Sequence, residues 1–303
     1  MRTPRNTTTC YAVASTHRLN NPAHLVSSDR QISIIYTPVH EPGPGEVTLQ
    51  IKSSGIGGWD DSLEVRGDCI LCPEAAAVEL KCWEGVTDLA SVPCNNCFLC
   101  RQGRLNLCED VKFSGIRPDE ETIQRYKVPS SEWLYKIPYH LTYSQGALLE
   151  PLSVILHGID GAKIRLGRPA LIFSAGPIGL ISLVTARANS LSRRLSQVAN
   201  HLRPMQDSAA SRAQNISGTC SEPQNMRLLH RSLNVIGAGR QAMNSMSFVY
   251  LSLAELDTWP VAIRCLGGGI LDPERLVTHR FPVDRAVTRR VKVHIADKVD
   301  AVF

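Results

Sequence analysis

Acidic residues are absent from the first 28 positions of the sequence, and aromatic residues make up only 6% of the chain. The start also lacks the apolar core of a secretory signal, so we expect a cytoplasmic chain and not a secreted, disulfide-stapled one. Its basic residues Arg2, Arg5 and Arg18 could belong to a transit peptide, but a loose N-terminal tail over residues 1–30 is the simpler interpretation. The low aromatic content, with no basic recognition helix beside the cysteines, excludes a cysteine-rich nucleic-acid module.

Charged residues are also missing between Pro169 and Ala186, a run long enough to suggest a membrane-spanning helix. The run divides into a short apolar strand, a Gly-Pro-Ile-Gly turn beginning at Gly176, and a helix that starts near Leu180. A spanning helix rarely has Gly-Pro and a second glycine at its centre. We therefore predict a strand–turn–helix unit and no membrane partner.

What the chain does contain fits a globular protein of roughly two domains. Of its 303 residues, 43% are hydrophobic and 20% are charged, which is ordinary for a protein with a buried core. The net charge of +5 is too small to imply a nucleic-acid partner.

The secondary-structure pattern changes from mostly β to α/β near residue 150, where we place a domain boundary. Apolar residues at helical spacing predict a helix from Ser144, its capping residue, to about Asp160. The Arg-rich segment 187–232 offers one helix near 190–202 and no convincing apolar strand. Strands are predicted at 31–36, 46–52, 133–137, 170–174 and 233–236. Glycines 55, 57 and 58 break regular structure, and residues 75–81 suit a strand or a short helix.

Four of the ten cysteines have close and regular spacing. Cys94, Cys97 and Cys100 are separated by two residues each, and Cys108 follows after seven more. Four thiolates in one loop suit tetrahedral Zn²⁺, and a closed four-sulfur shell leaves no position for a substrate, so the predicted site is structural. An iron–sulfur cluster is the chemical alternative because such clusters use similar runs of cysteine. The remaining alternative is four free thiols.

The segment from Pro93 to Cys108 resembles the structural zinc lobe of the medium-chain dehydrogenases. Other segments resemble the sorbitol, xylitol and L-arabinitol (polyol) dehydrogenase branch of that family, with a fungal character, and they come in family order: Glu41–Val47, Gly146–Val154, Ala175–Leu180, Thr258–Ile263 and Leu276–Pro282. The resemblance implies an α/β fold, in a shortened and divergent form, and homo-oligomers as in the family. Its parts would be a GroES-like catalytic domain (31–150), a Rossmann-type cofactor domain (151–257) that is degenerate at 187–232, and a segment (258–303) that returns to the catalytic domain.

In this family a catalytic Zn²⁺ binds the substrate alcohol, lowers the pKa of its hydroxyl, and hydride passes to NAD. Two family motifs, Ile-Cys-Gly-Ser-Asp and Gly-His-Glu, supply ligands. The first reads Ile-Gly-Gly-Trp-Asp at residues 56–60, and the second reads Cys-Pro-Glu at residues 72–74. Gly57 and Pro73 therefore stand where the family has Cys and His.

Two carboxylates remain at positions whose family counterparts lie at the catalytic zinc. These candidate catalytic residues are Glu74 and Glu150. Without the family resemblance, the sequence around Glu150 would predict a carboxylate on the surface of a helix. Cys69, Cys72 and Cys82 lie close enough in sequence to offer substitute ligands, although a Cys-x-x-Cys pair alone does not define a metal site.

The resemblance also places a dinucleotide turn at residues 174–179, where Ser174 replaces the first glycine of Gly-x-Gly-x-x-Gly. The candidate NAD-binding residues are Gly176, Pro177, Ile178 and Gly179. An ordinary strand–helix turn would give the same pattern. No following strand that ends in a ribose-binding acid is evident, and Arg193 and Arg194 fit a solvated basic helix better than an NADP phosphate site.

The resemblance thus implies a polyol dehydrogenase-like oxidoreductase that transfers hydride from a sugar alcohol to NAD⁺, with impaired activity because catalytic ligands are missing. One alternative is a catalytically inactive, zinc-binding remnant or a faulty gene model at residues 187–232. Another alternative is a zinc-free reductase of the same superfamily, which would need an intact cofactor site.

Overall fold

A computed structural model describes residues 16–27, 31–56, 68–70, 72, 74–80, 85–88, 91–113, 122–161, 170–173, 177–188, 195–198, 234–237, 258–283 and 298–302. The helices are α1 (Phe98–Arg101), α2 (Tyr143–Ala147), α3 (Leu149–Gly161), α4 (Pro177–Ala188) and α5 (Trp259–Gly267). Short 3₁₀ helices span Thr16–Arg18, Leu105–Leu107, Ser131–Trp133 and Pro273–Leu276.

The strands, in chain order, are β1 (Pro22–Val26), β2 (Ile32–Tyr36), β3 (Leu49–Ile56), β4 (Cys69–Ile70), β5 (Ala75–Glu79), β6 (Gly85–Asp88), β7 (Ser91–Val92), β8 (Lys112–Phe113), β9 (Tyr126–Lys127), β10 (Leu134–Lys136), β11 (Ala170–Phe173), β12 (Leu195–Val198), β13 (Asn234–Gly237), β14 (Val277–Pro282) and β15 (Lys298–Val302). Before residue 140 the described part is mostly β, and the helices α2 to α5 follow it. The predicted strands at 31–36, 133–137, 170–174 and 233–236 are confirmed within one or two residues.

The largest sheet has the strand order β10-β6-β5-β3-β15-β14, with β9 paired to one end of β3. Its core is formed by alternate residues of β3 and β5, because successive side chains of a strand point to opposite faces. The buried members are Leu49, Ile51, Ala75, Ala77 and Val86, with Val47 and Leu134 packed against them. Residues 75–79 are therefore a strand, one of the two predicted possibilities.

The prediction for β3 is wrong at both ends. The strand begins at Leu49 and continues through Gly55 to Ile56, whereas the sequence pattern predicts 46–52 and a break at Gly55. The distant strand β15 explains the difference, since Gly55 pairs with Asp300 and lies within the ladder. A partner from the other end of the chain leaves no trace in the local sequence pattern.

A second sheet corrects the predicted loose tail over residues 1–30. Residues 22–26 form β1, which pairs antiparallel with β2 and β4, and four of its five residues are buried. Asn21 just before it is also buried and donates from Nδ2 to Gln124 Oε1 (3.0 Å) and to the carbonyl of Tyr126 (3.1 Å). The apolar residues Leu25 and Val26 are too few to give a strand pattern on their own, so this strand depends on its neighbours.

The predicted helix from Ser144 to Asp160 is two helices, α2 and α3, separated at Leu148. The capping residue is Thr142 and not Ser144. The Thr142 hydroxyl accepts from the backbone N–H of Gln145 (3.1 Å), and the Gln145 side chain accepts from the backbone N–H of Thr142 (2.9 Å). This reciprocal capping box satisfies two helix-end donors, which Ser144, inside the first turn, cannot do.

A third sheet is parallel and has the order β12-β11-β13. Strand β12 occupies residues 195–198, where the sequence predicts a helix near 190–202 and no convincing strand. Pairing with β11, which places Leu195 opposite Ala170 and Val198 opposite Phe173, supplies a stabilisation that the half-polar sequence Leu-Ser-Gln-Val does not signal.

Helices α3, α4 and α5 share one hydrophobic core. Trp259 of α5 is fully buried and stacks on Tyr135 of β10, with ring centroids 6.0 Å apart. Thr258, just before α5, donates its hydroxyl to the carbonyl of Ser153 in α3 (2.9 Å). The buried core residues are Trp133, Leu148, Leu149, Leu152, Ile155, Ile159, Ile181, Ala186, Trp259, Ala262, Leu266 and Leu271.

The strand and the helix predicted within the uncharged run are confirmed, since β11 ends at Phe173 and α4 follows. The helix begins at Pro177 and not near Leu180, so Pro177, Ile178 and Gly179 of the predicted turn are helical, and Gly176 lies outside the described residues. In the described part of the chain, no helix combines the length and the apolar character that crossing a bilayer requires.

Candidate functional site

The four regularly spaced cysteines come together in the structure. All their sulfur atoms lie within 4.8 Å of one another, and the Sγ atoms of Cys94 and Cys100 are 3.9 Å apart. A tetrahedral Zn²⁺ with bonds of about 2.3 Å to sulfur requires sulfur–sulfur distances of about 3.8 Å. The four thiols therefore fit a structural zinc ion, as the spacing predicts.

Backbone N–H groups hold the sulfurs of this zinc lobe (residues 94–108) in place. The Cys94 Sγ accepts from the N–H of Cys97 (3.2 Å), and the Cys108 Sγ accepts from the N–H of Cys94 (3.2 Å). The stretch is predicted to be loop-like, but α1 forms one helical turn between Cys97 and Arg101, with Cys97 as its N-cap. This turn places Cys100 beside Cys94, because it folds the chain back between them.

Within the lobe, burial raises the pKa of two cysteine thiols, and hydrogen bonding lowers that of another. Burial raises the pKa of the Cys100 thiol to about 12 and also raises that of Cys108, whereas a hydrogen bond from the Cys100 backbone lowers the pKa of Cys97 to about 6. Such a set does not hold four adjacent thiolates by itself. A divalent cation removes the conflict because a coordinated thiol is deprotonated outright.

Glu74 and Glu150 are both buried, at 7% and 8% exposure. Glu74 directly precedes β5, and its carbonyl accepts from the N–H of Gly55 (2.9 Å). Glu150 lies in the first turn of α3. Thr87 connects β5 with α2, the helix that precedes α3, because its hydroxyl lies 2.8 Å from the carbonyl of Ala75 and 3.4 Å from that of Gly146.

The residues at the sequence positions of the family's other zinc ligands do not fit a catalytic zinc ion. Gly57 and Pro73 lie outside the described residues, but neither has a side chain that can bind a metal. Within the described ranges, the zinc lobe is the only group of three or more potential ligands close enough to hold an ion. Zinc favours nitrogen and sulfur donors, so two carboxylates make a poor replacement for the family's ligand set.

Cys72 has a role that the sequence does not signal. Its backbone has a positive φ of 83°, and its buried thiol donates to the carbonyl of Gly55. The hydroxyl of Thr122 lies 3.1 Å from that of Ser54 and donates to the carbonyl of Cys72. Cys69 is buried in β4, and Cys82 lies outside the described residues. Substitute metal binding by these cysteines stays a prediction without support from the described geometry.

The predicted cofactor turn lies at the carboxyl end of β11, the central strand of the parallel sheet. Pro177, Ile178 and Gly179 form the first turn of α4, whereas Ser174 and Gly176 lie outside the described residues. A helix N-terminus at the carboxyl end of a central parallel strand is where dinucleotide-binding folds hold the pyrophosphate. After β12 the sequence has no acid before Asp207, so the ribose-binding acid is not found at that strand's end.

No model of a known protein family matches this chain. Individual proteins do match it over most of its length. L-arabinitol 4-dehydrogenase of Aspergillus niger is 32% identical over 86% of this chain and 87% of its own, and sorbitol dehydrogenase of Gallus gallus is 29% identical over 88% and 91%.

The fold is shared with solved dehydrogenase structures. An alcohol dehydrogenase from Escherichia coli CFT073, complexed with NADH, has a TM-score of 0.73 at 18% identity, over 94% of this chain and 99% of its own. The likeness extends through the GroES-like and Rossmann-type parts of the fold. The chain belongs to the zinc-containing medium-chain dehydrogenases, in the branch that contains the L-arabinitol and sorbitol dehydrogenases.

Proposed function

We propose that this chain is an oxidoreductase of the polyol dehydrogenase type, which transfers hydride between a sugar alcohol and NAD at a rate well below that of its relatives. The observation that carries the proposal is the 32% identity to L-arabinitol 4-dehydrogenase over 86% of the chain. The parallel sheet β12-β11-β13 and the N-terminus of α4 support a dinucleotide site at Pro177, Ile178 and Gly179, together with Gly176.

The low rate follows from the side chains that are missing. Gly57 and Pro73 stand at the positions of the family's zinc-binding Cys and His, so only Glu74 and Glu150 remain as inherited catalytic residues. Without a metal to lower the pKa of the alcohol hydroxyl, hydride would leave from a neutral alcohol, which is a poorer donor than an alkoxide. Buried carboxylates still offer a proton acceptor near a bound hydroxyl.

A zinc-binding remnant without turnover is the second candidate. Two observations favour it, namely the loss of ligands at Gly57 and Pro73 and the absence of an acid before Asp207 after β12. In that case the zinc lobe stabilises the fold of a protein that no longer oxidises a polyol.

The experiment that tests these proposals measures metal content, cofactor binding and turnover separately. The purified chain is analysed for zinc, titrated with NADH by fluorescence, and assayed for NAD⁺ reduction with L-arabinitol, xylitol and sorbitol. The L-arabinitol 4-dehydrogenase of Aspergillus niger serves as the positive control. We expect about one zinc per chain, because only the lobe retains its ligands, and slow NAD⁺ reduction.

The outcomes separate the candidates. Binding of NADH without any polyol oxidation supports the remnant. Two zinc ions per chain with turnover equal to that of the control would overturn both candidates, since a complete catalytic site would then exist. We place the reaction in the cytoplasm. We also expect the chain to form a homo-oligomer, and sedimentation of the purified chain measures its oligomeric state.

A further inference from the structure

The four cysteines of the zinc lobe differ in their exposure to solvent. Cys94 is exposed and Cys97 is half-buried, whereas Cys100 and Cys108 are only 7% and 6% exposed. A small reagent that approaches from solvent therefore reaches Cys94 before it reaches the buried pair. Since reactivity of thiolates follows their accessibility, the lobe has one preferred point of attack.

The exposed sulfur also lies next to a buried one. The Cys94 Sγ is 3.9 Å from the Cys100 Sγ, and a disulfide bond has a length of about 2.0 Å. The N–H groups of Asn96 (3.4 Å) and Cys97 (3.2 Å) hold the Cys94 sulfur in this position. Closing the remaining gap requires a shift of about 2 Å, which flexible side chains provide once the Cys94 sulfur no longer binds the ion.

We propose that Cys94 is a peroxide-sensitive modification site, at which oxidation forms a Cys94–Cys100 disulfide and releases the structural zinc. The reactant is a hydroperoxide such as hydrogen peroxide. The Cys94 thiolate attacks one peroxide oxygen, the O–O bond breaks, and the departing hydroxide takes a proton to become water. Cys94 is then a sulfenic acid.

The second step completes the exchange of electrons. The Cys100 thiolate attacks the Cys94 sulfur, the S–S bond forms, and the S–O bond breaks to release a hydroxide that takes a second proton. Two thiolates have lost two electrons, and one hydrogen peroxide has become two waters. With two of its four ligands removed, Zn²⁺ leaves the lobe, because tetrahedral coordination requires all four.

The described cysteines outside the zinc lobe do not compete for the oxidant. Cys69 and Cys72 are 8% and 1% exposed, and the Cys72 thiol already donates to the carbonyl of Gly55. Cys265 is half-buried in α5, and burial raises the pKa of its thiol, which lowers the thiolate fraction.

The test uses the zinc-loaded full chain and hydrogen peroxide. Zinc release is followed with a chromogenic indicator, and each cysteine is mapped by differential alkylation and mass spectrometry. We expect zinc release to parallel the loss of free Cys94 and Cys100 and the appearance of a peptide that joins them. Dithiothreitol with added zinc should restore the original zinc content. Zinc that stays bound after Cys94 is oxidised, or a first disulfide that lacks Cys94, would overturn the proposal.

Two variants sharpen the test. Cys94→Asp keeps an anionic ligand but removes the oxidisable sulfur, so peroxide should release its zinc about tenfold more slowly. Cys265→Ser, the matched control outside the lobe, should release zinc at the original rate. If Cys94→Asp does not retain zinc at all, the disulfide map of the unmodified sequence decides the question. These readouts involve zinc and sulfur only, so their failure leaves the proposed polyol oxidation untouched.

Discussion

The zinc lobe and the region around Glu74 and Glu150 lie where the family resemblance implies two metal sites, and the two differ in how their ligands would be assembled. All four lobe sulfurs come from one continuous segment, residues 94–108. The family's second site draws on the motifs at residues 56–60 and 72–74 and on α3. A site built from one short segment survives changes elsewhere, whereas a site assembled from separated segments is lost when any of them changes.

The difference also reflects what each metal contributes. A structural zinc contributes directly to the free energy of folding, so its ligands are required by every molecule that folds. A catalytic zinc contributes to the rate of the reaction, and its loss leaves the fold intact. A complete lobe beside missing catalytic ligands is therefore compatible with an intact fold.

The largest effect should come from removing a buried ligand of the lobe. Cys100→Ser replaces a sulfur that the zinc requires, and we expect the bound zinc to fall to about a tenth of its original level and Tm to fall by about 10 °C. Metal analysis and thermal unfolding followed by circular dichroism measure both. Cys265→Ser is the control and should change neither. Full zinc content in Cys100→Ser would show that the lobe is not the metal site.

Restoring the missing catalytic zinc ligands should remove the difference between the two metal sites. The double variant Gly57→Cys, Pro73→His returns the thiolate and imidazole donors that zinc favours to the two family motifs. We expect the zinc content to rise from about one to about two per chain, and kcat/KM for L-arabinitol to rise about 100-fold. Gly58→Cys with Pro73→His is the matched control, because it offers the same donors one residue away. Equal gains in both double variants would argue against an inherited site.

A smaller effect on stability should follow from weakening α2, the helix that precedes α3 and its residue Glu150. Thr142→Ala removes the capping hydroxyl of α2, and the expected cost is about 1 kcal/mol, or about 3 °C in Tm. Tyr139→Ala, at a fully exposed side chain nearby, should leave Tm unchanged. If Ser144→Ala lowers Tm as much as Thr142→Ala does, the capping assignment is wrong.

The smallest effect concerns the two remaining carboxylates. Glu74→Gln and Glu150→Gln should leave the zinc content of the chain unchanged, since the lobe binds the only zinc that we expect. In the Gly57→Cys, Pro73→His background the same substitutions should lower the second zinc about tenfold. Metal analysis of the four proteins tests both statements together. Loss of zinc from the otherwise unmodified chain on either substitution would place a metal at these glutamates.

The sequence predicts those parts of the fold that local patterns determine. The zinc lobe depends on spacing within one segment, and β11 with α4 depends on an apolar run followed by a glycine-containing turn. Both are therefore readable without a structure. The capping role of Thr142 can also be predicted from the sequence, since Gln145 completes the Thr-x-x-Gln signature of a capping box.

Elements that depend on distant partners are not readable in this way. Strand β1 is stabilised by β2 and β4, and β12 is stabilised by β11, so neither needs a strong pattern of its own. The hydrogen bonds that link Cys72 with Gly55 and Thr122 join three separate segments. Such contacts decide where Glu74 lies, and only the folded chain contains them.

The pairing of β15 with β3 has a consequence for how the protein is made. Val299 lies opposite Ile56 and Val302 lies opposite Ser53, so strands from nearly opposite ends of this sequence are neighbours in the largest sheet. During synthesis, β3 and β5 leave the ribosome long before β15 exists, and one edge of β3 waits without its partner strand. Waiting strand edges are prone to pair with other chains. The unpaired edge of β3 is therefore a site at which nascent chains can aggregate until β15 is made.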